Sequence, residues 1–456
     1  MSTLRICILM TLGFLYISGA GLAQDAPPRR VTLREAVGLA LKNNPDLESA
    51  RLEAEKAHAR VHEAWGYTMP SIGLTGQYTQ AIKKPVFYLP GIFFGEPADV
   101  SIPVEIGSKY AMTFGLTASQ IIFNGTVFVG VGATATYSRA AEELYTGKRT
   151  ETVARARKAF YGALIAREAL SLMRQGLANA EDNLKNVRLL RAQGLLSEYD
   201  EMRASVGVEN IRPAVIQAET NADLATESLA NILGLPATER IAADGDLTFI
   251  PYDNALLTAP EGLLLENNST LKALRLQREV NEAFVQAERA NYLPTLVAFG
   301  NYQYQTQKNT LRISTNDFIA SSSIGLQLSL NIFQGFQTNA RVDQAQIEVK
   351  KSETQLVAVE NSLRTGLRAT LGALEQSRKR LQAQDRNVET AERGYAIVTT
   401  RFLASSATQL EVNDAQLALT QAKVNRIQAI FDYLTASADL DQLLGRIPDD
   451  LKQTNG

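Results

Sequence analysis

The sequence predicts a protein of mixed α and β class with a two-fold internal repeat, in which very long helices feed a few strands of bilayer length. Three observations carry this: landmarks recurring at a near-constant offset, two long proline-free tracts of helix formers, and four segments of period-two alternation. Residues 44–78, a helix-like stretch that runs through Pro70 into alternating apolar residues, are echoed at 268–302, with Pro294 in the equivalent place. Phe123-Asn124-Gly125 returns as Phe333-Gln334-Gly335, and Leu233-Gly234 as Leu444-Gly445. The prolines lie 224 positions apart and the other pairs 210 and 211, so about 14 extra residues sit in the first copy between Pro70 and Gly125. A unit this long exceeds solenoid repeats and describes two halves that share one job.

In chain order, residues 1–23 read as a secretory signal peptide, since Arg5 precedes an apolar run and Gly21-Leu22-Ala23 is a small-x-small cleavage site. The one cysteine, Cys7, lies inside it, leaving an expected mature chain without disulfides or a reactive thiol. A formal net charge of −2 gives nucleic acid no obvious hold. No later stretch reaches the roughly 20 apolar residues of a transmembrane helix, so entry into a membrane has to be by strands. The first repeat spans 24–234, with helices at about 45–67, 126–191 and 198–233 and strands at about 71–82 and 109–123. The second spans 261–445, with helices at about 269–292, 336–402 and 407–444 and strands at about 295–307 and 320–333. Residues 235–260 link the repeats and 446–456 form a tail.

The helices follow from proline placement, because a helix interior tolerates proline badly and residues 104–212 and 295–447 contain none. At 1.5 Å per residue the two longest would each run roughly 100 Å. In the last, Leu410, Leu417, Val424, Phe431 and Ala438 recur every seven residues beside Ile427 and Leu434, a coiled-coil seam. Pro213 should kink its first-repeat counterpart. Leu47, Ala50, Ala54, Ala57, Val61 and Ala64 make a narrow stripe suited to close helix packing.

The strands follow from alternation. Ile72, Leu74, Gly76 and Tyr78 alternate with Ser71, Gly73, Thr75, Gln77 and Thr79, and the pattern returns at 110–119 and 322–331; in 295–305, Val297 and Phe299 interrupt the polar face. A soluble sandwich produces the same alternation. Ten residues, however, is the length of a tilted strand crossing a bilayer, and Tyr78, Tyr110, Phe123, Tyr302, Tyr304, Phe318 and Phe333 near the strand ends would serve as interfacial girdles. Four strands cannot close a barrel alone, so strands have to be pooled among copies in an obligate oligomer.

At this point the chain resembles the TolC-like outer membrane efflux protein family over essentially its whole mature length. The resemblance is carried by Leu33-x-x-Ala36-x-x-x-Ala40-x-x-x-Asn44-Pro45-x-Leu47, the helix-strand junctions at Pro70, Pro294, Gly125 and Gly335, and the hairpin turns Arg191-Ala192-Gln193-Gly194-Leu195-Leu196-Ser197 and Arg401-Phe402-Leu403-Ala404-Ser405-Ser406. It implies a homotrimer with a 12-stranded outer-membrane β-barrel, four strands per protomer, set in outer-membrane lipid. A long periplasmic α-helical coiled-coil barrel continues it, with an equatorial belt drawn here from 235–260 and the tail. The implied function is a passive exit duct of a tripartite efflux or type I secretion system. The implied partners are a periplasmic adaptor (membrane fusion) protein and an inner-membrane pump of the resistance-nodulation-division or ABC type.

The resemblance further implies a channel constriction just beyond the turns, at Glu411 and Asp414 with first-repeat equivalents Asp200 and Arg203. Glu411 and Asp414 are spaced i, i+3 on one helical face, and three copies would make a cation-favouring ring. A solvated helix face is the plainer alternative. Adaptor docking falls to Gly194, Leu195, Leu196 and Ser197 on one turn and Ser405, Ser406 and Thr408 on the other. Residues 85–97, an aromatic segment in the first strand connection, account for much of the 14-residue excess and read as an exterior loop. No enzyme, cofactor or metal motif is present: His58 and His62 have i, i+4 spacing, but no third ligand accompanies them and a wet helix surface explains them. The rival reading from another class is a periplasmic coiled-coil scaffold with a small soluble β-domain; outer-membrane fractionation and heat-modifiable trimers separate the two.

Overall fold

The structure, a computed structural model, describes residues 28–236, 238–404 and 406–452. The expected signal peptide with Cys7, and Ser405 at the second turn, lie outside the described residues. From the N-terminus come β1 (Arg29–Val31), α1 (Leu33–Asn43), α2 (Pro45–Gly66), β2 (Ser71–Gln80), β3 (Val86–Pro90), β4 (Ser101–Glu105), β5 (Tyr110–Phe123), α3 (Gly125–Ala192) and α4 (Glu198–Ile232). There follow β6 (Ile241–Ala243), α5 (Pro260–Asn267), α6 (Ser269–Ala290), β7 (Thr295–Lys308), β8 (Ile319–Ser329), α7 (Gln337–Leu403) and α8 (Gln409–Leu443).

The long helices α3 and α7 run 68 and 67 residues, about 100 Å each at 1.5 Å per residue. Each folds back through a short turn into a 35-residue partner, α4 or α8. α3 packs against α2, α4, α6 and α8, and α7 against α6 and α8, which leaves α4 and α7 on the two flanks of the chain. The α4 helix continues through Pro213 without a break. In α2, Leu47, Ala54 and Ala57 are buried; small side chains there let the helix approach α3.

The seam expected along α8 holds only in its second half. Ile427, Leu434 and Ala438 are buried, whereas Leu410 and Leu417 are exposed and Val412 and Gln416 turn inward instead. The physical reason lies in the partner. At this level α8 faces Gly176 of α3, where Gln416 Nε2 donates to the Gly176 carbonyl at 2.7 Å, so a polar residue occupies the inner face and the leucines look outward.

The repeated Leu-Gly landmark has a steric cause. Leu233 and Leu444 are fully buried, and the glycine after each adopts a left-handed backbone, φ +68° at Gly234 and +65° at Gly445. A Cβ on Gly234 would overlap the Asn43 carbonyl, and one on Gly445 the Asn267 carbonyl. These close approaches let Asn44 Nδ2 donate to the Ile232 carbonyl and Asn268 Nδ2 to the Leu443 carbonyl, while both asparagines cap the following helix. The main apolar core gathers here, from α1, α3, α5, α7 and the ends of α4 and α8, and a smaller cluster of Ala180, Leu184, Val187, Ala204, Val208, Phe402 and Val412 sits near the turns.

The four long strands form one antiparallel sheet in the order β2-β5-β7-β8, with both outer edges open. Its last strand stops at Ser329, short of the expected 333, because its partner β7 begins opposite it at Thr295 and Pro294 has no N–H to extend the ladder; the chain then turns into α7 through Gly335 and Phe336, both at φ near +60°. Two pairings escaped the sequence reading. β1 pairs in parallel with β6, tying the N-terminus to the linker through strands of only three residues. The aromatic segment 85–97, read as a loop, contains β3, which pairs antiparallel with β4 just beyond it to form a hairpin.

Candidate functional site

The sheet is the first element of the site, and register sorts its side chains onto two faces. Residues paired across an antiparallel ladder point the same way. One face therefore carries the rows Ile72–Ala118–Gly300–Ile324 and Leu74–Leu116–Tyr302–Ser322, and the other Gly73–Thr117–Asn301–Ser323 and Thr75–Gly115–Gln303–Ser321. Neither face is covered: every residue of β2 is exposed, and Ile324 on the apolar side is 91% exposed. A sheet with an uncovered apolar face is unsuited to water but suited to lipid on one side and an aqueous lumen on the other. Phe299 breaks the wet face, and its ring lies over Gly325, where a Cβ would come within 2.8 Å of it.

Aromatic rings gather at both ends of the sheet. Away from the helices, Tyr304 stacks on Phe318 at 4.9 Å and Phe114 approaches Phe318 at 6.0 Å. Next to the helices, Phe333 and Phe336 make an edge contact at 5.5 Å, and Trp65, Tyr67 and Tyr292 at the ends of α2 and α6 are exposed; the strand-based reading passed over these because they belong to helix ends. Tyr110 departs from the expected girdle: it is buried, with Lys109 Nζ 5.5 Å from its ring.

At the junctions, Pro70 and Pro294 immediately precede β2 and β7. Asn124 caps α3, and a Cβ on Gly125 would come within 2.8 Å of Ala290 Cβ, so glycine here permits contact between α3 and α6.

The turns bring the expected constriction residues close in sequence but give them different tasks. Ser197 and Thr408 are the N-caps of α4 and α8, and each forms a reciprocal capping box. Asp200 Oδ2 accepts from the Ser197 N–H at 3.1 Å and hydroxyl at 2.6 Å; Glu411 Oε2 accepts from the Thr408 N–H at 2.6 Å and hydroxyl at 2.9 Å. Those bonds, the backbone one first, hold the Glu411 carboxyl below its usual range. Arg203 lies over the Tyr199 ring at 5.8 Å and pairs with no carboxylate among the described residues. Asp414 is exposed and makes no hydrogen bond or ion pair among the described residues. It lines a groove of about 510 Å³ with Asn183, Gly207, Asn210, Asn413 and Gln421, between α3, α4 and α8. On the turn surfaces Gly194 has φ +77° and Leu195 is 60% exposed, while Leu196 packs on the lower core. Ser406 N–H donates to the Arg401 carbonyl at 2.8 Å, and Arg401 Nη2 returns a bond to the Ser406 carbonyl.

His58 is engaged between α2 and α3, with Nε2 2.7 Å from Glu142 and Nδ1 3.1 Å from Ser138. Among the described residues no three His, Cys, Asp or Glu side chains are grouped to hold a metal.

Sequence reading missed a buried polar node beside the main core. Asp441 Oδ2 accepts from Arg157 Nη1 at 2.6 Å and Oδ1 from the Tyr252 hydroxyl at 2.9 Å, with Arg446 Nε 3.5 Å away. Both charged side chains are nearly dry, 8% and 6% exposed. Burial, reinforced by the Asp441 carboxylate, raises the Tyr252 phenol above its ordinary value. The node fastens α3, α8, the 235–260 linker and the tail to one another. Its only sequence signal was a lone aspartate in an apolar stripe of α8.

The model of the family described as outer membrane efflux protein matches residues 36–235 and 262–446. The cobalt-zinc-cadmium resistance protein CzcC of Cupriavidus metallidurans is 24% identical over 419 residues, covering 91% of this chain and 90% of its own. The outer membrane protein TolC of Vibrio cholerae is 22% identical over 429 residues, covering 91% of each chain. Among solved structures, the Campylobacter jejuni CmeC outer membrane channel shares the fold with a TM-score of 0.76 at 17% identity, over 91% of this chain and 85% of that one. With both halves matched, the chain belongs to the outer membrane efflux protein family, channel proteins of the cell outer membrane that extend into the periplasm.

Proposed function

We propose that three copies of this chain form a passive exit duct, each adding β2, β5, β7 and β8 to a 12-stranded barrel and its long helices to a periplasmic tunnel. The observation that carries this reading is the sheet itself: four strands of 10 to 14 residues, one apolar and one wet face, no cover on either, and two open edges. An open edge within lipid leaves backbone groups unpaired, and closure by neighbouring copies removes it. The flanking helices α4 and α7 carry exposed Tyr199, Met202, Val206, Ile216, Ile397 and Leu403, surface that a ring of copies would cover.

The two halves act as a structural repeat, supported by the paired asparagine caps, the paired left-handed glycines and the paired capping boxes. The linker, the β1–β6 pair and the Asp441 node form the belt around the tunnel. Cargo is delivered by an inner-membrane pump through a periplasmic adaptor that docks on the turns around Gly194 and Ser406; the chain itself performs no catalysis. Relatives named for metal-ion resistance and for alkaline protease secretion both match, so the proposal concerns the duct and leaves the cargo to the pump. At the tunnel end, Asp414 is the constriction carboxylate we favour, since Glu411 and Asp200 are occupied in capping and Arg203 is stacked on Tyr199.

Conductance of the detergent-purified protein in planar bilayers tests this. A steady cation-selective pore is expected, blocked from the tunnel side by a trivalent cation, with Asp414→Asn relieving the block more than Glu411→Gln. Folded protein that inserts without conducting would refute the duct; block unchanged in Asp414→Asn would move the constriction elsewhere.

A further inference from the structure

The β3–β4 hairpin is surface that the duct reading leaves without a task. Its ends are pinned: Lys84 Nζ and the Lys109 N–H both donate to Asn309 Oδ1, at 2.8 and 3.1 Å. Its apex is built rather than loose. Gly91 N–H donates to the Val100 carbonyl at 2.6 Å, Glu96 N–H to the Gly91 carbonyl at 3.0 Å, and a Cβ on Gly91 would come within 2.7 Å of the Pro97 carbonyl oxygen. Yet neither strand packs extensively on any other helix or strand of its own chain. A lone two-stranded hairpin is marginal in water. Register places Phe87, Leu89, Ile102 and Val104 on one face, all apolar, while Tyr88 on the other face is 70% exposed.

The position of the hairpin says what covers it. β2 runs away from the helices and ends at Gln80, and β8 begins at Ile319 at that same end of the sheet. When β2 of one copy closes against β8 of the next, the hairpin that follows Gln80 emerges beside the neighbour's Ile319, within roughly 17 Å of extended chain. Ile319 is itself anomalous. It pairs with Gln305 and so lies on the wet face with Gln77 and Thr113, but it is an isoleucine and 71% exposed; Leu311, in the connection between β7 and β8, is 64% exposed. An isoleucine on a wet rim, with an exposed leucine in the adjoining connection, and an apolar hairpin rooted across the same seam are complementary. Lipid is the poorer occupant, because a hairpin sunk among acyl chains would take Glu96, Asp99 and Glu105 with it.

We infer that the β3–β4 hairpin of each copy folds across the seam onto Leu311 and Ile319 of the neighbouring copy, tying the barrel together at its outer rim and narrowing its mouth. This rests on the trimeric reading above.

The test uses the full chain carrying Leu89→Cys with Ile319→Cys, treated with a short bismaleimide in detergent, beside each single variant and wild type. Covalent dimers and trimers from the double variant alone are expected. Mass in detergent is measured on the same samples. A trimer that yields no cross-linked ladder overturns the hairpin contact and leaves the duct standing, whereas a monomer overturns both. Because the chain has a single tryptophan, Trp65, a Trp65→Phe/Phe93→Trp variant reports on the apex separately. Its emission should be indifferent to brominated lipid chains, and strong quenching by them would assign the hairpin to the bilayer instead.

Discussion

The sheet and the helical midsection obey opposite rules within one chain. Around α1, α3 and α8, side chains such as Leu229, Leu233, Leu264 and Leu440 have no exposure at all, and the buried charges of Arg157 and Asp441 are paired with each other. In β2 and β8, leucines and isoleucines stand fully open beside a face of serine, threonine and glutamine. The midsection carries its own dry core; the sheet borrows one from its surroundings. Burial measured on a single chain therefore reports the quality of the fold in the first region and the identity of the missing solvent in the second.

The largest expected effect breaks that contrast on a single strand. Leu74 and Gln77 lie three residues apart on β2 and face opposite ways. Leu74→Arg should cost about 2–4 kcal/mol in every copy if that face meets lipid, and heat-modifiable trimers should disappear from the outer-membrane fraction. Gln77→Arg should assemble normally and shift pore selectivity toward anions. Equal loss of trimers from both variants would mean the two faces share one solvent. Of comparable size, but confined to the stability of the midsection, is the effect at the Asp441 node. Asp441→Asn leaves Arg157 charged and dry, and roughly 3–5 kcal/mol of stability should be lost in denaturant titrations. Asp46→Asn, which breaks an exposed pair with Arg155, should cost less than about 1 kcal/mol.

Legibility in the sequence divides along the same line. Proline placement and period-two alternation depend on local chemistry, so the long helices and the four strands could be read off with ends displaced by a few residues. The Leu233-Gly234 and Leu444-Gly445 repeats were visible as landmarks, but their cause, a backbone packed against Asn43 and Asn267, depends on residues far away in the chain. The β3–β4 hairpin was hidden because Pro85, Pro90, Pro97 and Pro103 punctuate it, and prolines inside a run argue against a strand unless both strands are edges, as here. Glu411 illustrates a different point, a local task that the constriction reading did not weigh. Thr408-x-x-Glu411 and Ser197-x-x-Asp200 are capping-box signatures plain in the sequence, and local capping competes with any role facing the tunnel.

Glycine substitution sharpens the distinction between strain imposed by packing and strain imposed by a turn. Gly234, Gly445 and Gly194 all have positive φ, but only the first two lie against a carbonyl, and the space around Gly194 is open. Gly234→Ala and Gly445→Ala should each cost about 1–3 kcal/mol in thermal melts, and Gly194→Ala only the lower end of that range.

The smallest effect concerns the tip of α8. The Glu411 carboxyl is held below its ordinary value by the Thr408 N–H and hydroxyl. A carboxylate depressed on folding contributes stability above its unfolded pKa, near 4.3, and loses it as pH falls through the lower folded value. Amide exchange over residues 408–412 should therefore be slow at neutral pH and quicken, beyond the intrinsic chemistry, on acidification below about pH 4. Glu411→Gln should remove most of that acid-sensitive protection, since a neutral amide cannot be protonated out of its bond to Thr408, whereas Asp414→Asn should keep it. If both variants retain the acid response, Glu411 is not the titrating cap, and its carboxylate becomes free to join Asp414 in the constriction proposed above.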